Sequence, residues 1–197
     1  MKKIILGLVI LLSGQSAIAQ DQNIIVGCQF PYDNVIELSY GPGLFHKSYD
    51  FTYGQHHDDL LSLDLSVDYA HIIKNHMGVG VNFMHSHIGA IDGDEIYAGA
   101  SFYFGTLNYN THRWYFDGSL GLGYAHNNYT EHKNGLGLLV QAGVHYLLSR
   151  RWSVGAEVHS LNCFYKKPSD WKLHDEDGSE YFNASRLSLG IGVQYFF

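Results

Sequence analysis

Residues 61 to 69 read Leu-Ser-Leu-Asp-Leu-Ser-Val-Asp-Tyr, and this strict alternation constrains the fold more than any other feature of the chain. On an extended backbone Leu61, Leu63, Leu65, Val67 and Tyr69 share one face, while Ser62, Asp64, Ser66 and Asp68 share the other. A helix, with its period of about 3.6, would scatter both sets around its circumference. The segment is a half-buried strand.

The same rhythm recurs in Val35–Phe45, Met77–His87, Glu95–Thr106, Trp114–His126, Leu136–Leu148, Trp152–Asn162 and the stretch ending at Phe197. In the last of these Leu187, Leu189, Ile191, Val193, Tyr195 and Phe197 alternate with Ser188, Gly190, Gly192, Gln194 and Phe196. Eight strands result, most near the roughly 9–11 residues that cross a bilayer at a tilt. Their connections alternate in length. His71–His76, Leu107–His112 and Ser149–Arg151 are short, whereas His46–Leu60, Ile88–Asp94, Asn127–Gly135 and Cys163–Ala184 are mostly longer. Short periplasmic turns and longer extracellular loops are the habit of transmembrane barrels, and an even strand count returns both termini to the periplasm. The expectation is an all-β, eight-stranded antiparallel up-and-down barrel over residues 35–197.

An aromatic girdle should mark the level where lipid meets water. Tyr69, Phe104, Trp114, Tyr146, Trp152, Tyr195 and Phe197 come from six segments, on the apolar face, at the ends expected to be periplasmic. A soluble sandwich has no reason to ring its solvent face with aromatics. Composition agrees: 15 Tyr, 11 Phe and 22 Gly against 3 Pro is an odd balance for a water-soluble domain.

The N-terminus supplies an address. Lys2 and Lys3 precede an apolar run from Ile4 to Leu12, followed by Ala17-Ile18-Ala19. This is a secretory leader, residues 1–19, too short to span a bilayer as a helix. Cleavage after Ala19 would leave a periplasmic segment, 20–34, ahead of the barrel. It would also remove two lysines from a chain already at −7, an acidic balance that argues against a nucleic-acid partner. Cys28 and Cys163 are expected not to pair, since one precedes the first strand and the other ends a strand at the opposite rim. Ile25-Val26-Gly27-Cys28 looks only superficially like a lipidation box, lying far downstream of the apolar run.

The terminal Leu189-Gly190-Ile191-Gly192-Val193-Gln194-Tyr195-Phe196-Phe197 resembles the last strand of bacterial outer-membrane barrels. The whole pattern from Val35 to Phe197 resembles the small outer-membrane β-barrel family (OmpA/OmpX-like). The resemblance implies outer-membrane lipid as surroundings and a barrel-insertion machinery that reads the Phe197 strand. It implies no particular activity, and it gives no reason for 13 histidines.

The inward face carries the candidate chemistry. Glu37, Asp64, Asp68, Glu95, Asp117, Gln141, His145, Glu157, His159, Arg186 and Gln194 should fill a barrel just wide enough for its own side chains. Carboxylates outnumber cations there, so some should share protons, hold water or pair with Arg186 or Arg113 inside a hydrogen-bonded polar plug. The competing reading is a narrow path for cations or small solutes lined by Asp64, Asp68 and Asp117. Lipid A deacylase barrels carry His-x-Ser-Asn, but His159-Ser160-Leu161-Asn162 puts its imidazole and hydroxyl on opposite faces of a strand. His85-Ser86-His87 fails the same way, and Glu157, His159 and Ser188 read as ordinary lumen filling. His56, His57, Asp58 and Asp59, with His85, His87, His126 and His132, are residue types that could bind zinc or copper, but they match no defined metal spacing, and the reading preferred is solvated loop groups. No cofactor or metal is expected. The resulting picture is a non-enzymatic barrel with a structural or surface-interaction role. Its acidic, aromatic loop (Tyr165, Trp171, Asp175, Glu176, Asp177, Glu180, Tyr181, Phe182) suits an extracellular protein or glycan.

Overall fold

The structure, a computed structural model, describes residues 32–47, 58–74, 77–106, 113–129, 134–166 and 181–197. The expected leader and most of the segment 20–34, Cys28 included, lie outside the described residues. The strands are β1 (Asn34–Lys47), β2 (Asp58–Lys74), β3 (Met77–Ile88), β4 (Gly93–Gly105), β5 (Trp114–Asn127), β6 (Asn134–Leu147), β7 (Trp152–Lys166) and β8 (Tyr181–Phe196). Each pairs antiparallel with the next, and β8 returns to β1, so the sheet is a closed barrel in sequence order. Closure leaves no row of unpaired backbone groups at an edge. The seam reaches the last residue: Phe197 N donates to Asn34 O and Asn34 N to Phe197 O, both at 3.0 Å. The all-β eight-stranded barrel expected from the alternation is the architecture found.

The two faces sort by polarity along every strand. Leu61, Leu63, Leu65, Val67 and Tyr69 point outward and are exposed, whereas Ser62, Asp64, Ser66 and Asp68 point inward and are buried. Bare aliphatic side chains continue around the outside, with Ile191 70% and Leu189 63% exposed.

The strands are longer than the sequence pattern suggested, at 12 to 17 residues. β2 pairs with β1 from Asp58 and runs to Lys74, absorbing most of the turn expected at His71–His76. β7 continues to Lys166 and β8 begins at Tyr181, so the expected loop Cys163–Ala184 gives up both its ends to strands, while 167–180 lies outside the described residues. The reason lies inside. At the end where the longer connections sit (the loop end), inward positions are apolar: Phe45, Ile88, Tyr97, Cys163, Tyr165, Phe182 and Ala184 form one buried cluster. Cys163 therefore does not end a strand at the rim. It is a fully buried free thiol whose S–H donates to Glu95 Oε1 at 2.9 Å. Tyr165 and Phe182, expected in a partner-binding loop, stack inside the barrel with ring centroids 5.3 Å apart.

At the end carrying the short turns and the C-terminus (the turn end), a second apolar cluster of Val35, Ala70, Ile72, Tyr103, Tyr115, Leu147 and Phe196 closes the barrel. The lumen is thus a polar layer between two apolar stoppers, not a polar plug throughout. Burying these rings contributes on the order of 1.5–3 kcal/mol per large side chain, which gives the strands reason to extend past the stretch whose inward face is polar.

Candidate functional site

Two charged groups occupy the lumen. On the loop side, Arg186 on β8 lies 3.7 Å from Asp64 Oδ1 and 3.4 Å from Glu95 Oε2. It also donates to Ser86 Oγ and rests over the Phe45 ring at 5.4 Å. Above it Tyr129, in the connection after β5, donates its hydroxyl to Glu95 Oε2 at 2.5 Å and meets Phe45 edge-on. Burial, reinforced by the Glu95 charge, pushes the Tyr129 phenol far above its ordinary range, so the hydroxyl stays a donor. Arg113, the other cation expected to serve the lumen, sits instead at the exposed turn end and donates to Tyr146 Oη at 3.2 Å.

On the turn side lie Glu37, Asp68, Asp117, Glu157, His145 and His159. Asp68 accepts from Asn82 Nδ2, from Gln141 Nε2 at 3.0 Å and from Ser66 Oγ at 3.1 Å. Asp117 accepts from Tyr103 Oη at 3.2 Å and Gln194 Nε2 at 2.5 Å, and faces His145 Nε2 at 3.0 Å. Glu157 Oε2 is held by His159 Nε2 at 2.8 Å. Glu37 Oε1, Glu157 Oε1 and His145 Nδ1 are buried without a hydrogen-bond partner. The space for these long side chains comes from inward glycines. A Cβ at Gly192 would fall on Glu157 Oε1 and Glu37 Oε1, and one at Gly143 on His145 Nε2 and Asp117 Oδ1. Tyr115 stacks on the His145 ring at 5.3 Å and fixes its plane. A small cavity of about 20 Å³, room for one water, borders Glu37, Asp68, Asp117 and Glu157.

The lumen residues named from the sequence thus divide into two sets, Asp64 and Arg186 in one and Glu37, Asp68, Asp117, Glu157 and His159 in the other. Sequence reasoning did not foresee the convergence of Glu37, His145 and Glu157. The available signal was their inward phase together with glycines opposite them. As for nucleophiles, His159 pairs across the sheet with Ser188, yet Ser188 Oγ makes no hydrogen bond and the imidazole is committed to Glu157. Ser160 points away from His159, to the half-buried outer face, and Ser86 points inward between the outward His85 and His87.

On the outside, the seven girdle residues all lie toward the turn end. Trp114 packs on Tyr146 at 5.0 Å, Trp152 on Tyr195 at 4.7 Å, and Tyr195 stacks on Phe197 at 5.8 Å. Their hydroxyls reach for the rim: Tyr69 donates to Asn34 Oδ1 at 2.7 Å, and Tyr195 accepts from Arg151 Nη1 at 3.4 Å. Near the loop end, Tyr124 and Phe164 are outward and exposed, and beyond them stand polar outward groups. There His87 Nδ1 lies 3.0 Å and His85 Nε2 3.4 Å from Asp94 Oδ1, and Asn128 Nδ2 donates to Asp94 Oδ2 at 3.1 Å. His56, His57 and His132 lie outside the described residues.

No family model matches the chain, and no curated protein matches it. Solved structures do. Neisserial surface protein A (NspA) superposes with a TM-score of 0.54 at 15% identity, over 82% of this chain and 97% of that one. OprG of Pseudomonas aeruginosa gives a TM-score of 0.45 at 10% identity, over 84% and 98%. Ail, the attachment invasion locus protein of Yersinia pestis, gives 0.42 at 16%, over 83% and 99%. At this identity the likeness to NspA is one of fold: the chain has the architecture of the small outer-membrane barrels.

Proposed function

We propose, from a fold shared with small outer-membrane barrels, that this chain sits in the bacterial outer membrane and holds its loop end at the cell surface without catalysing a reaction. The observation that carries this reading is the belt of bare apolar side chains around a barrel whose polar groups face inward. An exposed apolar surface of that extent is not maintained in water. From Leu187 to Phe197 the outward apolar residues of β8 run about 33 Å along the strand, or about 25 Å along the normal at a 40° tilt, which is the height of a lipid-facing band. The aromatic ring at the turn end, with its hydroxyls aimed at the rim, supports a boundary with the periplasm there. In this orientation residues 1–19 are the removed leader, and the Phe197 strand, which closes the seam on β1, is what the insertion machinery would read.

The two apolar stoppers favour a sealed lumen over a channel for small solutes or cations. The placing of Ser160 on the face opposite His159, and the lack of a hydrogen bond between Ser188 and His159, favour a structural or surface-interaction role over lipid modification. The loop end then presents 89–92 at the surface, and the segment 167–180, which lies outside the described residues, would supply Trp171, Asp175, Glu176, Asp177 and Glu180 to a protein or glycan. Purified protein refolded in detergent and added to planar bilayers tests this. The expected outcome is insertion without discrete current steps. Regular steps would overturn the sealed lumen, and a monodisperse protein in plain buffer without amphiphile would overturn the membrane location itself.

A further inference from the structure

The proposed role leaves unused the most unusual group in the molecule, the turn-side cluster of Glu37, His145 and Glu157. Their ligand atoms, one from each residue, lie within 4.8 Å of one another. Glu157 is 4% exposed and His145 not at all. The two carboxylates face each other over Gly192, each with its Oε1 unpartnered, and His145 Nε2 stands 3.7 Å from Glu37 Oε1. Among the described residues Arg186 is the only buried guanidinium or ammonium group, and it is engaged with Asp64, Glu95 and Ser86. His159 holds Glu157 Oε2 at 2.8 Å and His145 faces Asp117 at 3.0 Å, but no permanent cation offsets the two carboxylates taken out of water, an arrangement that is expensive unless a cation joins it.

We infer that this cluster binds one divalent transition-metal ion, with the His145 imidazole and the Glu37 and Glu157 carboxylates as its ligands. One nitrogen and two carboxylate donors suit zinc, manganese or ferrous iron. Calcium prefers an all-oxygen shell, and monovalent copper takes thiolate or thioether. A charge of +2 balances the two facing carboxylates. The ligands stand on three strands of a closed sheet, so their spacing is rigid. The ring is further fixed by Tyr115 stacked on it, and Asp117, 3.0 Å from the same Nε2, would yield that contact to the ion. The adjoining cavity has room for a water that could complete the coordination. The competing occupant is a single proton shared by Glu37 and Glu157.

The whole mature chain is freed of metal by chelator while unfolded and refolded in detergent with zinc sulfate alone, so that the ion enters before the lumen closes; after dialysis bound zinc is counted and heat unfolding followed. One zinc per barrel and a raised Tm are expected. Glu37→Gln and Glu157→Gln should each weaken binding about tenfold or more, while the double rim variant His85→Ala with His87→Ala binds as before. Migration of unheated samples on detergent gels reports whether each variant has folded. X-ray absorption of the zinc-loaded unaltered barrel gives a second readout that needs no variant, expected to show nitrogen and oxygen donors without sulfur. Zinc that fails to bind, that binds equally to both glutamine variants, that disappears with the rim histidines, or that shows a sulfur ligand would overturn the assignment. The proton-sharing alternative corresponds to the first of these results.

Discussion

On the loop side of the lumen Asp64 and Glu95 share the Arg186 guanidinium, whereas on the turn side Glu37 and Glu157 confront each other with no such group near them. The surroundings differ in the same sense. Arg186 and its partners are set among Phe45, Met84, Ile88 and Tyr97, where Glu95 has the Tyr129 hydroxyl and the Cys163 thiol as donors besides the guanidinium. The turn-side carboxylates are set among Ser66, Asn82, Gln141, His145 and Gln194, whose dipoles and protons can solvate them. A permanent cation is built in where the walls are apolar, and amides, hydroxyls and imidazoles serve where the walls are polar. An exchangeable ion then has a place only in the second region, because in the first the counter-charge is already covalently part of the chain.

Removing the counter-charge is the severest test of that contrast. Arg186→Leu leaves Asp64 and Glu95 buried with no cation, so unfolding in denaturant from detergent should show a loss of roughly 3–5 kcal/mol. A loss below about 1 kcal/mol would mean that these carboxylates are protonated or hydrated. The turn side should respond with the opposite sign. Glu37→Gln removes one of two facing like charges, so the metal-free barrel should gain on the order of 1 kcal/mol. In saturating zinc the same variant should be the less stable one. Two regions of one lumen would then answer the loss of a charge in opposite directions.

The fold was legible because an apolar outer face and a polar inner one impose a period of two, as from Leu61 to Tyr69, that no helix satisfies. Strand ends were not, and the reason is specific. From Cys163 to Tyr165 and from Tyr181 to Ala184 the alternation persists, but the inward positions turn apolar (Cys163, Tyr165, Phe182, Ala184) and the outward ones include Asn183. A rule that sends polar residues inward reads such a stretch as loop. The inward phase of the charged residues was also legible, strand by strand. Which of them meet was not. Glu37 on β1 and Glu157 on β7 are separated by a whole strand, and they touch only because Gly192 of β8 leaves the intervening space open. That depends on the stagger of the closed sheet, which no single segment encodes. The split of the lumen into an arginine side and an arginine-free side follows from the same stagger.

The smallest expected effect extends the comparison to the outside. His87 and Asp94 make a 3.0 Å contact at the loop-end rim, yet their side chains are 44% and 38% exposed. Water and salt reach that pair, so a double-mutant cycle with His87→Ala and Asp94→Asn should return a coupling of about 0.2–1 kcal/mol. It should fade as ionic strength rises toward 1 M, where screening acts within about 3 Å. The Arg186–Glu95 contact is longer, at 3.4 Å, but both side chains are 1% exposed. Its coupling should be several times larger and nearly indifferent to salt. If the rim pair proved the stronger, or the lumen pair the more salt-sensitive, water would have to reach Arg186. The loop-end stopper could not then be closed, and the sealed reading of the barrel would fail with it.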